Sequence, residues 1–99
     1  MERQVTCINK PHHSSSHEHI THIGNSAEQW KFTREEAIRR IDSGVDTFYT
    51  IDALTRKRAI VGVVRVAGHQ PYLRTHADGK WADNLLALGE CGSACRVVG

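Results

Sequence analysis

Apolar and polar side chains alternate from Arg3 to Lys10, with Val5, Cys7 and Asn9 on one face and Thr6 and Ile8 on the other, as in a short strand. Pro11 to His17 then runs without one apolar residue, through two adjacent histidines and three consecutive serines, and reads as a loop that adds nothing to a core. Ile20, His22 and Gly24 against Thr21 and Ile23 predict a second strand, closed by the turn signal Gly24-Asn25-Ser26. The two strands make a long-looped hairpin. Thr33-Arg34-Glu35-Glu36 is a capping box, in which the Thr33 hydroxyl accepts from the Glu36 amide while the Glu36 side chain reaches back to that of Thr33. A helix therefore begins at Arg34, buries a stripe of Ala37, Ile38 and Ile41, and stops at Gly44. Thr47 to Ile51 and Arg58 to Ala67 are β-branched runs that predict a hairpin across Asp52 to Lys57. Ile60 to Val66 is apolar on both faces apart from Arg65, the pattern of a central strand covered by the helix. Gly68-His69-Gln70-Pro71 turns the chain into a last strand, Tyr72 to Thr75, before the Asp78-Gly79 turn; Asp83 caps one helical turn through Leu88. The order β-β-α-β-β-β predicts an α+β fold: a small, mostly antiparallel sheet with one main helix packed on it, over residues 1–88, and a flexible tail over 89–99.

Composition narrows the class more than it names it. Ninety-nine residues, 39% hydrophobic and 24% charged, suit one domain with a modest core and leave no room for a deep multi-layer active site. The longest apolar stretch, Ala59 to Val66, is broken by Arg65 and is far shorter than the roughly 20 residues that cross a bilayer. Polar residues follow Met1 with no apolar h-region, so the expected address is the cytoplasm, with no membrane partner. Three cysteines, an odd number, then predict reduced thiols, with Cys7 packed as a small hydrophobe. Charge is uneven: residues 1–52 hold six Lys/Arg against eight Asp/Glu, and residues 53–99 hold seven against three.

Several strings occur together in one order: Cys7-Ile8-Asn9-Lys10-Pro11, His17-Glu18-His19-Ile20-Thr21-His22-Ile23-Gly24, Trp30 with the helix block, Phe48-Tyr49, Tyr72-Leu73-Arg74-Thr75-His76-Ala77-Asp78-Gly79 and Asp83-Asn84-Leu85-Leu86-Ala87-Leu88. Over about residues 4–91 they resemble the small prokaryotic domain-of-unknown-function family numbered 3892. Asn25 stands where that pattern has a second glycine and Gly89 where it has a proline, both in predicted turns. The resemblance implies a small single domain and carries over no catalytic residues.

Three groups of residues are candidates for chemistry. Five of seven histidines, His12, His13, His17, His19 and His22, fall close together, and Cys91-x3-Cys95 adds thiols. His17 and His19 share a strand face that His22 does not, and the spacing matches no closed zinc motif, so His17, His19 and Cys91 are the metal candidates while no metal or cofactor is expected. Arg74, His76 and Asp78 alternate onto one face and could form an acid-base and anion-binding trio, the basis of a small-enzyme alternative. No nucleophile elbow, phosphate loop or H-E-x-x-H accompanies them, and an Arg-Asp pair also pins a turn. The main expectation is a non-enzymatic binding or protein-interaction module. Its candidate residues are Arg58, Arg65, Tyr72, Arg74, His76, Asp78 and Lys80, and the alternative partner is single-stranded nucleic acid on the basic second half. A pI near 8.6 falls below the range above 9 of dedicated nucleic-acid domains. Arg58 and Arg65 have opposite parity, so only one shares a face with Arg74 unless a bulge at Gly62 resets the register.

Overall fold

The computed structural model describes residues 1–12, 14–77 and 79–98. The extended N-terminal segment is not one strand but two, β1 (Glu2–Gln4) and β2 (Cys7–Asn9), which belong to different sheets. The handover takes two residues: Val5 N–H donates to Tyr49 O at 2.7 Å on one side, and Thr6 N–H to Gly24 O at 2.8 Å on the other. A segment that changes sheets must bury both its faces, and Val5, Cys7 and Ile8 are all at most 1% exposed.

The first sheet runs in the order β1, β5 (Thr47–Ile51), β6 (Arg58–Val64), β7 (Tyr72–Ala77) and β8 (Lys80–Ala82). The second runs β10 (Arg96–Val97), β4 (Trp30–Thr33), β3 (His22–Asn25), β2 and β9 (Gly89–Glu90). Hairpins supply the antiparallel pairs. The long-range additions at the edges, β1 on β5, β10 on β4 and β9 on β2, are parallel. The α+β reading therefore holds coarsely, with one helix against sheet, but the strands form two sheets rather than one, and each mixes parallel with antiparallel pairs. Strand β4 escapes a pattern search because its four residues abut the helix cap. Gly89 onward, expected as a loose tail, supplies edge strands to the second sheet. Asp83 to Leu88 forms successive i→i+3 turns rather than a capped helix.

Helix α1 (Arg34–Ser43) follows its local code at both ends. Thr33 Oγ1 accepts from Glu36 N–H at 3.1 Å, and Gly44 adopts the left-handed φ of 75° that closes the last turn. Only half of the capping box forms, because the Glu36 carboxylate turns to Arg39 and Arg40. Ala37 is fully buried, with Ile38 and Ile41 packed against the core. That core joins the sheets: Phe32 of β4 meets Phe48 of β5 edge-on, ring centroids 5.7 Å apart, amid Ile8, Ile23, Val61, Leu73 and Leu85.

Candidate functional site

Strand β6 extends Arg58–Val64 rather than to Ala67, and its ladder with β7 is unbroken from Ile60↔His76 to Val64↔Tyr72. No bulge interrupts it at Gly62. Strand alternation sends Ala59 and Val61 of β6, with Leu73 and Thr75 of β7, into the core. The opposite, outer face of the first sheet carries one row across five strands: Gln4↔Tyr49, Tyr49↔Ile60, Ile60↔His76 and His76↔Trp81. Within it the His76 and Trp81 rings meet edge-on at 5.4 Å. Gly62 leaves the space for them, since a Cβ there would stand 3.1 Å from His76 Cδ2 and 3.2 Å from the Trp81 ring. Trp81 remains 46% exposed, a large ring resting on a sheet with one side open to solvent. A cleft of about 500 Å³ beside it is lined by Lys57, Arg58, Ile60, His76 and Ala77.

The register places Arg58, Tyr72, Arg74 and His76 together on this outer face. Lys80 alternates with Trp81 and leaves on the other side of β8. Arg65 lies beyond the end of β6 and pairs with Asp42 of α1 at 2.5 Å. Its separation from Arg58 and Arg74 follows from the parity. Asp78 lies outside the described residues. None of the three arginines is a bare cation: Arg58 pairs with Glu2 at 2.9 Å while its guanidinium lies 4.1 Å from the Tyr49 ring centroid, and Arg74 pairs with Asp83 at 2.9 Å.

Arg74 thus binds Asp83 and the Ala82 carbonyl, while His76 packs on Trp81. Another histidine takes the place beside Arg74. His17, on the 3-10 turn His17–His19 against β7, lies buried with Nε2 3.7 Å from Asp83 Oδ1. Burial and then the nearby Arg74 guanidinium hold His17 below its ordinary pKa of 6.5, outweighing Asp83. Its Nε2 has no hydrogen-bond partner among the described residues. His19 is exposed on the same turn, and Cys91 lies elsewhere, so the metal candidates are not brought together as one set. The corner continues into a cleft of about 400 Å³ lined by Thr50, Asp52, Asp83, Asn84 and Leu88 among others. No spacing in the chain announces the meeting of His17 with Asp83, nor of Trp81 with Gly62. Both depend on which strands are neighbours.

Nor are the cysteines reduced throughout. Cys7 and Cys91 form a disulfide across a sequence separation of 84, and Cys95 is free and buried. The parallel pairing of β9 on β2, with Cys7 opposite Gly89, carries Cys91 to Cys7 in a way that cysteine counting does not foresee.

A family described as protein of unknown function (DUF3892) has a sequence model that matches residues 4–89. The chain belongs to the DUF3892 family. The match spans the core and the outer-face row from Gln4 to Trp81; it begins after Glu2 and Arg3 of β1 and stops short of Cys91 and Cys95. No curated protein and no solved structure matches the chain. No helix among the described residues is long and apolar enough to cross a membrane.

Proposed function

We propose that this DUF3892 chain is a non-enzymatic protein-interaction module whose working surface is the outer face of the first sheet. The observation that carries the reading is the half-exposed Trp81 ring standing over Gly62, in one row with His76, Ile60 and Tyr49. Trp, Tyr and Arg are the side chains on which protein interfaces concentrate binding energy, and a rigid sheet presents them at little conformational cost. A phosphate backbone would need a run of uncommitted cations. Arg58 and Arg74 instead share the face with their own carboxylates, which favours a polypeptide partner over a nucleic acid.

The test is a photo-cross-linking amino acid placed at position 81 in cells that make the protein. A discrete adduct that protease destroys and nuclease leaves intact is expected, and it should be absent when the cross-linker replaces the fully exposed Leu54 in the β5–β6 turn. A nuclease-sensitive adduct, or equal labelling at both positions, would overturn the reading.

A further inference from the structure

Cys7, Cys91 and Cys95 are three buried residues that pack on one another as a cluster separate from the main core. Their sulfur atoms all lie within 4.8 Å of one another. Two are already bonded, Cys7 to Cys91, and the third is a thiol. The Cys95 Sγ has one distant polar neighbour, the Asn25 carbonyl at 3.9 Å, so it is not held away from the disulfide by a strong hydrogen bond. A turn closed by Cys95 N–H on Gly92 O at 3.1 Å folds the chain back between Cys91 and Cys95.

We propose that these three residues form an intramolecular thiol–disulfide exchange site with Cys95 as the attacking group. The Cys95 thiol loses its proton, and its sulfur attacks Cys91 Sγ. The Cys91–Cys95 bond forms as the Cys7–Cys91 bond breaks, and Cys7 leaves as a thiolate that takes up a proton. One disulfide and one thiol stand on each side of the step, so neither oxidant nor reductant is consumed. The covalent link changes in kind. Cys7–Cys91 ties the C-terminal segment to β2 across most of the chain, whereas Cys91–Cys95 closes a short loop within that segment. After exchange, β9 is held to β2 by hydrogen bonds alone, among them Cys91 N–H to Ile8 O at 2.9 Å and Asn9 Nδ2 to Glu90 Oε2 at 2.8 Å. The site therefore switches the second sheet between a locked and a releasable edge.

Oxidised full-length protein is held at mildly alkaline pH without added redox reagent, quenched in acid, alkylated and mapped by mass spectrometry. Two populations are expected, Cys7–Cys91 with label on Cys95 and Cys91–Cys95 with label on Cys7. Amide hydrogen exchange over Gly89–Val98 should be about ten-fold faster in the wild type than in Cys95→Ala, in which the bond cannot move. Cys7→Ser should form Cys91–Cys95 on mild oxidation, so that the geometry is also tested without Cys7. Label confined to Cys95 in the wild type, with no Cys91–Cys95 bond in Cys7→Ser, would overturn the proposal. So would a reduced protein that retains one zinc ion per chain and protects all three thiols from alkylation, which would make the cluster a metal site instead.

Discussion

Asp46 is a buried carboxylate, 3% exposed between Arg3 at 3.1 Å and Arg40 at 2.8 Å. Both guanidinium groups also lie over the Phe32 ring, Arg40 at 4.5 Å and Arg3 at 5.4 Å from its centroid. Burial raises the Asp46 pKa, but the hydrogen bond from Arg40 and the ion pair with Arg3 outweigh it and the net shift is downward. Asp46→Ala would leave Arg3 without its carboxylate against an aromatic core, while Arg40 keeps Glu36 at 2.7 Å, and should cost on the order of 2 kcal/mol in denaturant unfolding. A loss below about 0.5 kcal/mol, the range of ordinary surface substitutions, would contradict this reading. Acid stability follows from the same kind of contact. Hydrogen bonds from Arg39 and Arg40 hold Glu36 at about 2, against 4.5 for the free group. A depressed native pKa stabilises fully above the unfolded value and is lost as pH falls through the native one, so the Glu36 contribution disappears between about 4.5 and about 2. His17, also lowered, binds its proton first in the unfolded chain, and its contribution begins to fade as pH falls below 6.5. Calorimetry should therefore record a melting temperature that declines from near neutrality and steepens below pH 4.5; a rise on acidification would refute the assignment.

The helix was legible because its signals are local. Thr33 and Gly44 need only residues within four positions to do their work, and both do it. Since Glu36 does not reach back to Thr33, the Thr33 hydroxyl caps this end alone, and Thr33→Ala should cost about 1 kcal/mol in thermal unfolding. An unchanged melting curve would mean that another group satisfies the Glu36 amide. Strands are less legible, because an alternating pattern cannot tell which neighbour a strand will take. Arg3 to Lys10 reads as one strand, yet Val5 and Thr6 donate to different sheets. Gly62 carried a signal, but its purpose is close approach rather than a bulge. Gly62→Val should displace the flexible ends of His76 and Trp81 rather than backbone. Trp81 emission should shift to the red with the far-ultraviolet circular dichroism unchanged, and an unaltered spectrum would show that the ring does not rest there.

At the scale of the whole molecule, charge is settled by folding rather than by composition. The basic second half is a sequence fact, but Arg58 meets Glu2 and Arg65 meets Asp42, so carboxylates of the first half neutralise arginines of the second. Titration with a single-stranded oligonucleotide at low salt should accordingly show binding weaker than about 100 µM. A tighter complex whose affinity falls steeply with salt would restore the nucleic-acid reading in place of the protein partner.

What the sequence determined by itself is whatever short-range chemistry decides: the helix and both its caps, the β5–β6 hairpin and the family. The parity rule that keeps Arg65 from the face of Arg58 belongs with these, because a period of two needs no knowledge of the partner strand. The tertiary structure alone decided the pairing of β9 and β10 with strands far away in the chain, and with it the Cys7–Cys91 bond. It also decided the meeting of His17 with Asp83 and the setting of Trp81 over Gly62. Each of these brings together residues separated by many positions, and such contacts form only because the buried faces of two sheets and one helix have a single mutually compatible arrangement. That compatibility is a property of the packed core, and no window of the sequence contains it.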